Sequence, residues 1–373
     1  MSATIAHINR IGTANPPFQV HDAFVRYVAG ELEDPRTRRL FERMVARSGI
    51  ARRYSYLEPT VLPDGTIRDT DGFYGGAAWP TTGARMVRYE RDAPHLALSA
   101  IDALGIDAGE RVGLTHLIVA SCTGFMAPGL DQVIMASAGL SPDVERTVVG
   151  FMGCYAAVNS LRLAHHIVRS DPAARVLVVT LELCTIHFQR NLDVASLLAM
   201  LLFGDGAAAA LVTADPHGIA IKDFRAATIP GTGDAITWNI RDQGFDMHLG
   251  GEVPARIAEA LAVEAQRTDG GGLLRDAAVG DFGLWAVHAG GRTILDAVEH
   301  GFALDDTALA ASRAVLHDHG NMSSATLMFI LARVLAGKQQ GLASERGSEQ
   351  GLGMALAFGP GMAAESFRFA LDA

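Results

Sequence analysis

The chain has 373 residues, 49% of them hydrophobic and 19% charged, enough for two domains or for one body built of two similar halves. A formal net charge of −10 argues against a general nucleic-acid binder, and no stretch reaches the roughly 18–20 uninterrupted apolar residues of a membrane span. Three widely spaced cysteines (Cys122, Cys154, Cys184) suit neither a disulfide framework nor a zinc cluster. They point to a reducing compartment, the cytoplasm by default, and the opening "MSATIAHINRIGTANPP" has no signal-peptide pattern.

The first informative segment is "RTRRLFERMVARSGIARR", with seven arginines between Arg36 and Arg53. Arg39, Arg43 and Arg47 recur every fourth residue, and Leu40, Phe41, Met44 and Val45 form a separate apolar stripe. This spacing predicts a helix with one buried and one cationic face, the latter either solvated or a site for a phosphorylated ligand. "LTHLIVASCTG" (114–124) predicts a buried strand running into a turn, and "RTVVGFMGC" (146–154) a second strand. "CYAAVNSLRLAHHIVRS" (154–170) reads as a helix and "ARVLVVTLEL" (174–183) as a third strand; "LFGDGAAAALVTA" (202–214) is a glycine turn into a strand. Apolar strands alternating with helices predict an α/β fold whose sheets are covered on both faces.

After about Gly218 the theme returns. "FGLWAVHAGG" is strand then turn, "RTILDAVEHGF" a helix, and "SSATLMFILARVLAG" a buried helix. "GLGMALAFGPG" leads into a tight turn, and "AESFRFALD" alternates like a strand. The recurrence suggests a duplication, with halves at 1–218 and 219–373.

Three stretches set a reactive polar side chain beside glycine in apolar surroundings: Cys154 in "GFMGCYAA", His288 in "WAVHAGGRTIL" and Asn321 in "HGNMSSATL". Taken singly each has a plain structural reading: a buried cysteine, a core histidine, and a helix N-cap at Asn321 or Ser323. Taken as a set they describe a nucleophile in the first turn of a helix, where free N–H groups favour a thiolate. A histidine would act as its proton partner and an uncharged amide as an oxyanion donor. "HHIVRS" and "HDHG" carry no accompanying carboxylates, so no metal is expected there.

Ordered multi-residue matches along nearly the whole chain give this set a context. "RMVARSGIARRYSYL", "GFMGCYAAVNSLRLA", "SLLAMLLFGDGAAAALV", "LWAVHAGGRTILDAVE", "HGNMSSATLMFIL" and "LAFGPG" resemble, in order, the signatures of the type III polyketide synthases. These form the chalcone-synthase-like branch of the thiolase superfamily. The resemblance implies a thiolase-like duplicated αβαβα layered fold and a Cys154-His288-Asn321 triad. Phe203 would stand where the coenzyme A tunnel meets the acyl cavity. Arg43 falls on a coenzyme A contact of the family, Arg47 replaces a lysine there, and Arg39 is expected beside them. Ser323 and the turn residues Phe358, Gly359 and Pro360 are expected at the cavity. The implied reaction loads a starter acyl-CoA on Cys154 and extends it iteratively with malonyl-CoA, whose decarboxylation drives each carbon–carbon bond. Coenzyme A thioesters are then substrates, with no metal, flavin or nicotinamide required, and a homodimer is the implied assembly. A single-condensation ketoacyl-ACP synthase III shares the fold and the triad and is the competing reading.

The cavity positions depart from the plant pattern and place the chain with a bacterial type. Trp238 stands for a glycine, Met247 for a second gate phenylalanine, and His187, Cys184 and Cys122 for threonines. Ala127 replaces a methionine that in the family completes the neighbouring subunit's cavity, and Ala289 replaces a proline in the histidine motif. An indole at 238 would fill the room of a bulky aromatic starter, while the smaller side chains would favour a narrower tunnel for an alkyl chain. The expected product is an alkylpyrone or a resorcinol or phloroglucinol type.

Overall fold

The computed structural model describes residues 4–75, 78–339 and 351–372. Nine strands form one mixed sheet: β1 (His7–Ala14), β2 (His116–Ser121), β3 (Glu145–Gly150), β4 (Val176–Leu183), β5 (Asp205–Thr213), β6 (Gly218–Thr228), β7 (Phe282–Val287), β8 (Leu352–Gly359) and β9 (Ala363–Asp372). Their order is β7-β8-β9-β6-β1-β5-β4-β2-β3. Within the first part, β1 and β5 pair antiparallel, β5 and β4 antiparallel, and β4 and β2 parallel. The second part repeats this sense: β6 with β9 and β9 with β8 antiparallel, β8 with β7 parallel. The two parts meet where β1 pairs with β6 at His7 and Ile8. The two parts therefore share one pattern of antiparallel and parallel pairing.

The helices used below are α1 (Pro35–Ser48), α2 (Thr82–Ala103), α3 (Ala156–Ser170), α4 (Val194–Leu202), α5 (Arg292–Phe302) and α6 (Ser324–Gln339). Strand β4 is buried along its whole length because both faces are covered. Leu177, Val179 and Leu181 pack with Leu96, Ala100 and Ile101 of α2. Val176 and Val178, on the alternate positions, pack with the cluster that holds Leu161 and Ala164 of α3. Strand β5 carries four alanines, Ala207 to Ala210, all fully buried. Their small side chains let α2 and α6 lie close against the same strand.

Helices α3 and α6 form the middle layer. α3 packs on β2, β4 and β5 of one half and β9 of the other, and α6 packs on β1, β4, β5 and β7 and on α3 itself. Both touch strands of each part of the one sheet, and being held between those parts fixes where the segments leading into them end up. The helix expected from residue 154 begins at Ala156, preceded by a tight 3-10 turn at Gly153–Tyr155. Among the described residues no helix is long and apolar enough to cross a membrane.

Candidate active site

The segments leading into α3 and α6 open on one cavity, and the segment after β7 adds a third wall. Cys154, His288 and Asn321 all line it, with Phe203, Ser323 and the Phe358–Pro360 turn. Cys154 lies in the 3-10 turn ahead of α3, at the end with unsatisfied N–H groups. Gly153 before it has φ +73°, and a Cβ there would stand 2.6 Å from Pro360 Cδ. Only glycine lets the two turns close so tightly. His288 follows β7, its N–H donating to Leu356 O at 2.8 Å. Asn321 precedes α6 and is tied to the segment after α4 by two backbone bonds, Asn321 N to Leu202 O and Gly204 N to Asn321 O, both 2.9 Å.

The amide of Asn321 is oriented from both sides. Its Oδ1 accepts from Ser323 N at 2.8 Å, and its Nδ2 donates to Gly290 O at 3.2 Å. An amide nitrogen carries two protons, and beyond Gly290 O the Asn321 side chain also hydrogen-bonds Cys154, which favours the thiolate. Both ring nitrogens of buried His288 lack a hydrogen-bond partner among the described residues. Burial pushes the Cys154 thiol up to about 12 and the His288 imidazole down to about 3. Each charge alone is disfavoured there, so the resting site holds thiol and imidazole. The thiolate expected from the helix end is therefore opposed by burial, and the bonds from Ser323 and Asn321 act against that rise.

Behind Cys154 runs a buried polar chain that the sequence did not reveal. Cys154 Sγ donates to Ser323 Oγ at 3.7 Å, and Ser323 Oγ lies 3.3 Å from Cys122 Sγ. Cys122 Sγ donates in turn to Glu182 Oε1 at 3.2 Å. Glu182 also accepts from Cys122 N (3.0 Å), Thr123 Oγ1 (2.8 Å) and Ser324 Oγ (2.5 Å). Burial raises its pKa and the bonds from Ser324 and Cys122 oppose the rise. Ser323 holds φ +47°, an uncommon conformation for serine that persists because both its N–H and its hydroxyl are engaged. A carboxylate inside an otherwise apolar strand, "VTLEL", was the available signal for this network.

Cys122, Phe203, Trp238, Met247 and Ser323 line this cavity and also a second one, which Cys184 and His187 join. Trp238 and Met247 are directly opposed in the antiparallel hairpin Ile236–Arg241/Gly244–Leu249, so they share one face of it. The Trp238 Nε1–H donates to Cys122 O at 2.8 Å, which fixes the indole across the wall between the cavities. His187 holds the same hairpin from behind. Its Nε2 bonds Thr123 O at 2.7 Å, its Nδ1 accepts from Phe245 N at 3.0 Å, and its ring stacks on Phe245 at 4.2 Å. Burial keeps it neutral, with a pKa near 3. His187 is thus both lining and buttress.

At the mouth stand Arg43 and Arg47 of α1 and Arg292 at the start of α5. Three guanidinium groups around one opening suit a polyphosphate, against the acidic background of the chain. Arg292 Nη1 donates to Arg47 O at 3.4 Å, and the sequence reading had passed over it. Arg39 does not line the cavity. A four-residue repeat drifts about 40° per step around a helix of 3.6 residues per turn, so Arg39 lies about 80° from Arg47.

A layered, duplicated α/β body with a cysteine, a histidine and an asparagine converging from the two halves on one cavity defines a thiolase-fold acyltransferase. Comparison with known proteins narrows the class. Residues 2–216 match the family described as chalcone and stilbene synthases, N-terminal domain, and residues 221–370 match its C-terminal domain. Bisdemethoxycurcumin synthase of Oryza sativa subsp. japonica is 32% identical over 97% of this chain and 91% of its own. The alpha-pyrone synthesis polyketide synthase-like Pks18 of Mycobacterium tuberculosis is 33% identical over 75% of this chain and 73% of its own. The crystal structure of PKS-I from the brown alga Ectocarpus siliculosus superposes with a TM-score of 0.86 at 29% identity, covering 100% of this chain and 99% of that one. The chain belongs to the chalcone and stilbene synthase family, the type III polyketide synthases, which condense malonyl-CoA iteratively onto acyl-CoA starters.

Burial pushes the Cys154 thiol up to about 12, so reactivity at neutral pH requires a proton acceptor, and His288 in the same cavity is the candidate. Replacing His288 by alanine is expected to slow iodoacetamide alkylation of Cys154 at pH 7 by about a hundredfold and to move the pH midpoint upward. Alkylation at the wild-type rate would show a thiol activated without His288.

Proposed function

We propose that this chain transfers an aliphatic acyl group from coenzyme A to Cys154 and extends it with malonyl-CoA to a chain that closes as a pyrone or a resorcinol-type ring. The observation that carries the reading is the convergence of Cys154, His288 and Asn321 on a cavity that shares an apolar wall with a second cavity. In the loading step the thiol proton passes to His288 and the sulfur attacks the starter thioester carbonyl. The tetrahedral oxygen is held by His288 and the Asn321 N–H that faces Cys154. The bond to coenzyme A then breaks, and its thiolate takes the proton back from His288. A malonyl-CoA follows, its phosphates at Arg43, Arg47 and Arg292.

Decarboxylation breaks the bond to the carboxylate, and the electron pair moves onto the thioester oxygen as an enolate, held by the same two donors. Phe203 offers the carboxylate an apolar wall, which disfavours the charge and so favours its loss as carbon dioxide. The enolate carbon attacks the acyl-Cys154 carbonyl and releases the sulfur, leaving a chain two carbons longer on coenzyme A. Reloading on Cys154 repeats the round. Thioester substrates supply all the driving force of this cycle, without metal, flavin or nicotinamide.

The aliphatic starter is supported by the indole bonded to Cys122 O at the shared wall, an aromatic side chain on the order of 150–250 Å² in area that takes up room in the chamber. The alpha-pyrone in the name of the Mycobacterium tuberculosis relative favours a pyrone product here. A homodimer is supported by β3, an edge strand just before the Cys154 turn that leaves Val148 53% exposed, and by Phe125 at 45% exposure in the loop that carries Ala127.

Incubation with malonyl-CoA and a panel of acyl-CoA starters, read by product mass spectrometry, is expected to give products extended by several two-carbon units from alkyl starters without a carrier protein. A single extension on an acyl carrier protein alone would favour the ketoacyl-ACP synthase III reading, and no extended product from any starter would sink both. Trp238→Gly is expected to admit aromatic starters and lengthen products; an unchanged starter range would refute the role of the indole. Light scattering after size exclusion is expected to give twice the 39.5 kDa chain mass, and a monomer would remove the dimer.

A further inference from the structure

Behind the wall that bears Phe203 lies a buried arginine for which the reaction described above has no use. Arg53 is 2% exposed. Its Nη1 donates to two carbonyls, Met200 O at 2.6 Å and Phe203 O at 2.7 Å. Those oxygens belong to the open end of α4, where carbonyls have no partner within the helix and the dipole is negative. Its Nε donates to His21 Nδ1 at 3.0 Å, and the guanidinium lies 4.5 Å from the centre of the Phe24 ring. Burial lowers its pKa to about 9 and Asp205 opposes the fall, so the group is a cation at neutral pH. Its Nη2 has no hydrogen-bond partner among the described residues, and the side chain lines the second cavity.

The stem of Arg53 is as confined as its head. A Cβ on Gly204 would come within 3.3 Å of Arg53 Cβ, and one on Gly320 within 2.8 Å of Arg53 Cγ. Gly320 has φ +69°. One glycine follows Phe203 directly and the other precedes Asn321 directly, and the two segments are joined by the paired backbone bonds of Leu202, Gly204 and Asn321. The arginine is therefore wedged where the gate phenylalanine and the amide donor are tied together, with Nη1 bonded to the Phe203 segment, Nε to His21, and its stem against the glycines of both tied segments.

We infer that Arg53 is a positioning residue for malonyl decarboxylation, holding the ring of Phe203 and the amide of Asn321 at a fixed separation around the bound malonyl group. The inference rests on the roles proposed above for those two residues. Loading of Cys154 does not use the Phe203 wall, whereas carboxylate loss does. A defect in positioning therefore falls on decarboxylation more heavily than on loading. A residue that merely supports the fold would reduce both in proportion to the folded fraction.

The test compares carbon dioxide release from malonyl-CoA with acyl transfer to Cys154 in the full-length chain. Arg53→Met keeps most of the stem and removes the guanidinium. It is expected to lower the turnover number for carbon dioxide release by up to about a hundredfold, with KM for malonyl-CoA close to wild type and the rate of Cys154 acylation lowered at least severalfold less, since loading uses Asn321 but not the Phe203 wall. Arg53→Lys can reach one of the two carbonyls and is expected to recover part of the loss. If Arg53→Met does not fold, His21→Leu takes its place, because it frees the Nε side of the guanidinium and should lower the same ratio to a smaller extent. An unchanged ratio of decarboxylation to acylation in whichever variant folds overturns the inference. A wild-type chain that acylates Cys154 yet releases no carbon dioxide would instead overturn the roles of Phe203 and Asn321.

Discussion

Two backbone hydrogen bonds between the segments at Phe203 and Asn321 hold the two halves of the molecule in register at the one place where register matters chemically. Cys154 and Phe203 come from the first half, His288 and Asn321 from the second. A site assembled from both halves needs a joint stiffer than side-chain packing alone. The isolated bridge supplies it through two backbone hydrogen bonds of 2.9 Å. The middle-layer helices then need only be held between the two parts of the sheet for the segments leading into them to face the same space.

Around that joint the protein tolerates an unusual amount of buried polarity. Glu182 is fully buried, yet four protein donors reach its two oxygens, which is what keeps a carboxyl group tenable in such a place. His187 is likewise saturated at both nitrogens. His288 differs from both in having neither nitrogen engaged among the described residues. An imidazole that costs the fold two unmade hydrogen bonds is the group through which the protein gives up stability for reactivity.

Much of this was legible in the sequence, and the division follows from the range of the interactions. The settings of Cys154, His288 and Asn321 are local: a glycine that must adopt φ +73°, a strand end, a helix start. Local rules act within a few residues, so the sequence carries them openly. The arginine helix was legible as a helix, but the repeat of four hid the drift that leaves Arg39 off the cavity. Glu182 and Arg53 escaped for the opposite reason. Glu182 acquires its meaning from Cys122 and Ser324, and Arg53 from Met200 and Phe203, partners between 60 and 150 positions away in the chain. Strand β1, "HINRIGTA", mixes polar and apolar residues and was not foreseen, since its pairing with β5 and β6 rather than its own pattern makes it a strand.

The alanine run of β5 has a consequence for how such a protein can change over generations. Helices lie against both faces of that strand, so even a single added methylene would push on the very elements that aim Asn321. The hairpin of Trp238 and Met247 is built otherwise: one of its faces lines the cavities while Asn239, Ile240 and Arg241 lie exposed. Variation can therefore accumulate on the hairpin and reshape the chamber without disturbing the catalytic frame. The fold separates what must stay from what is free to drift, so new products can arise in this lineage by substitution at the wall alone.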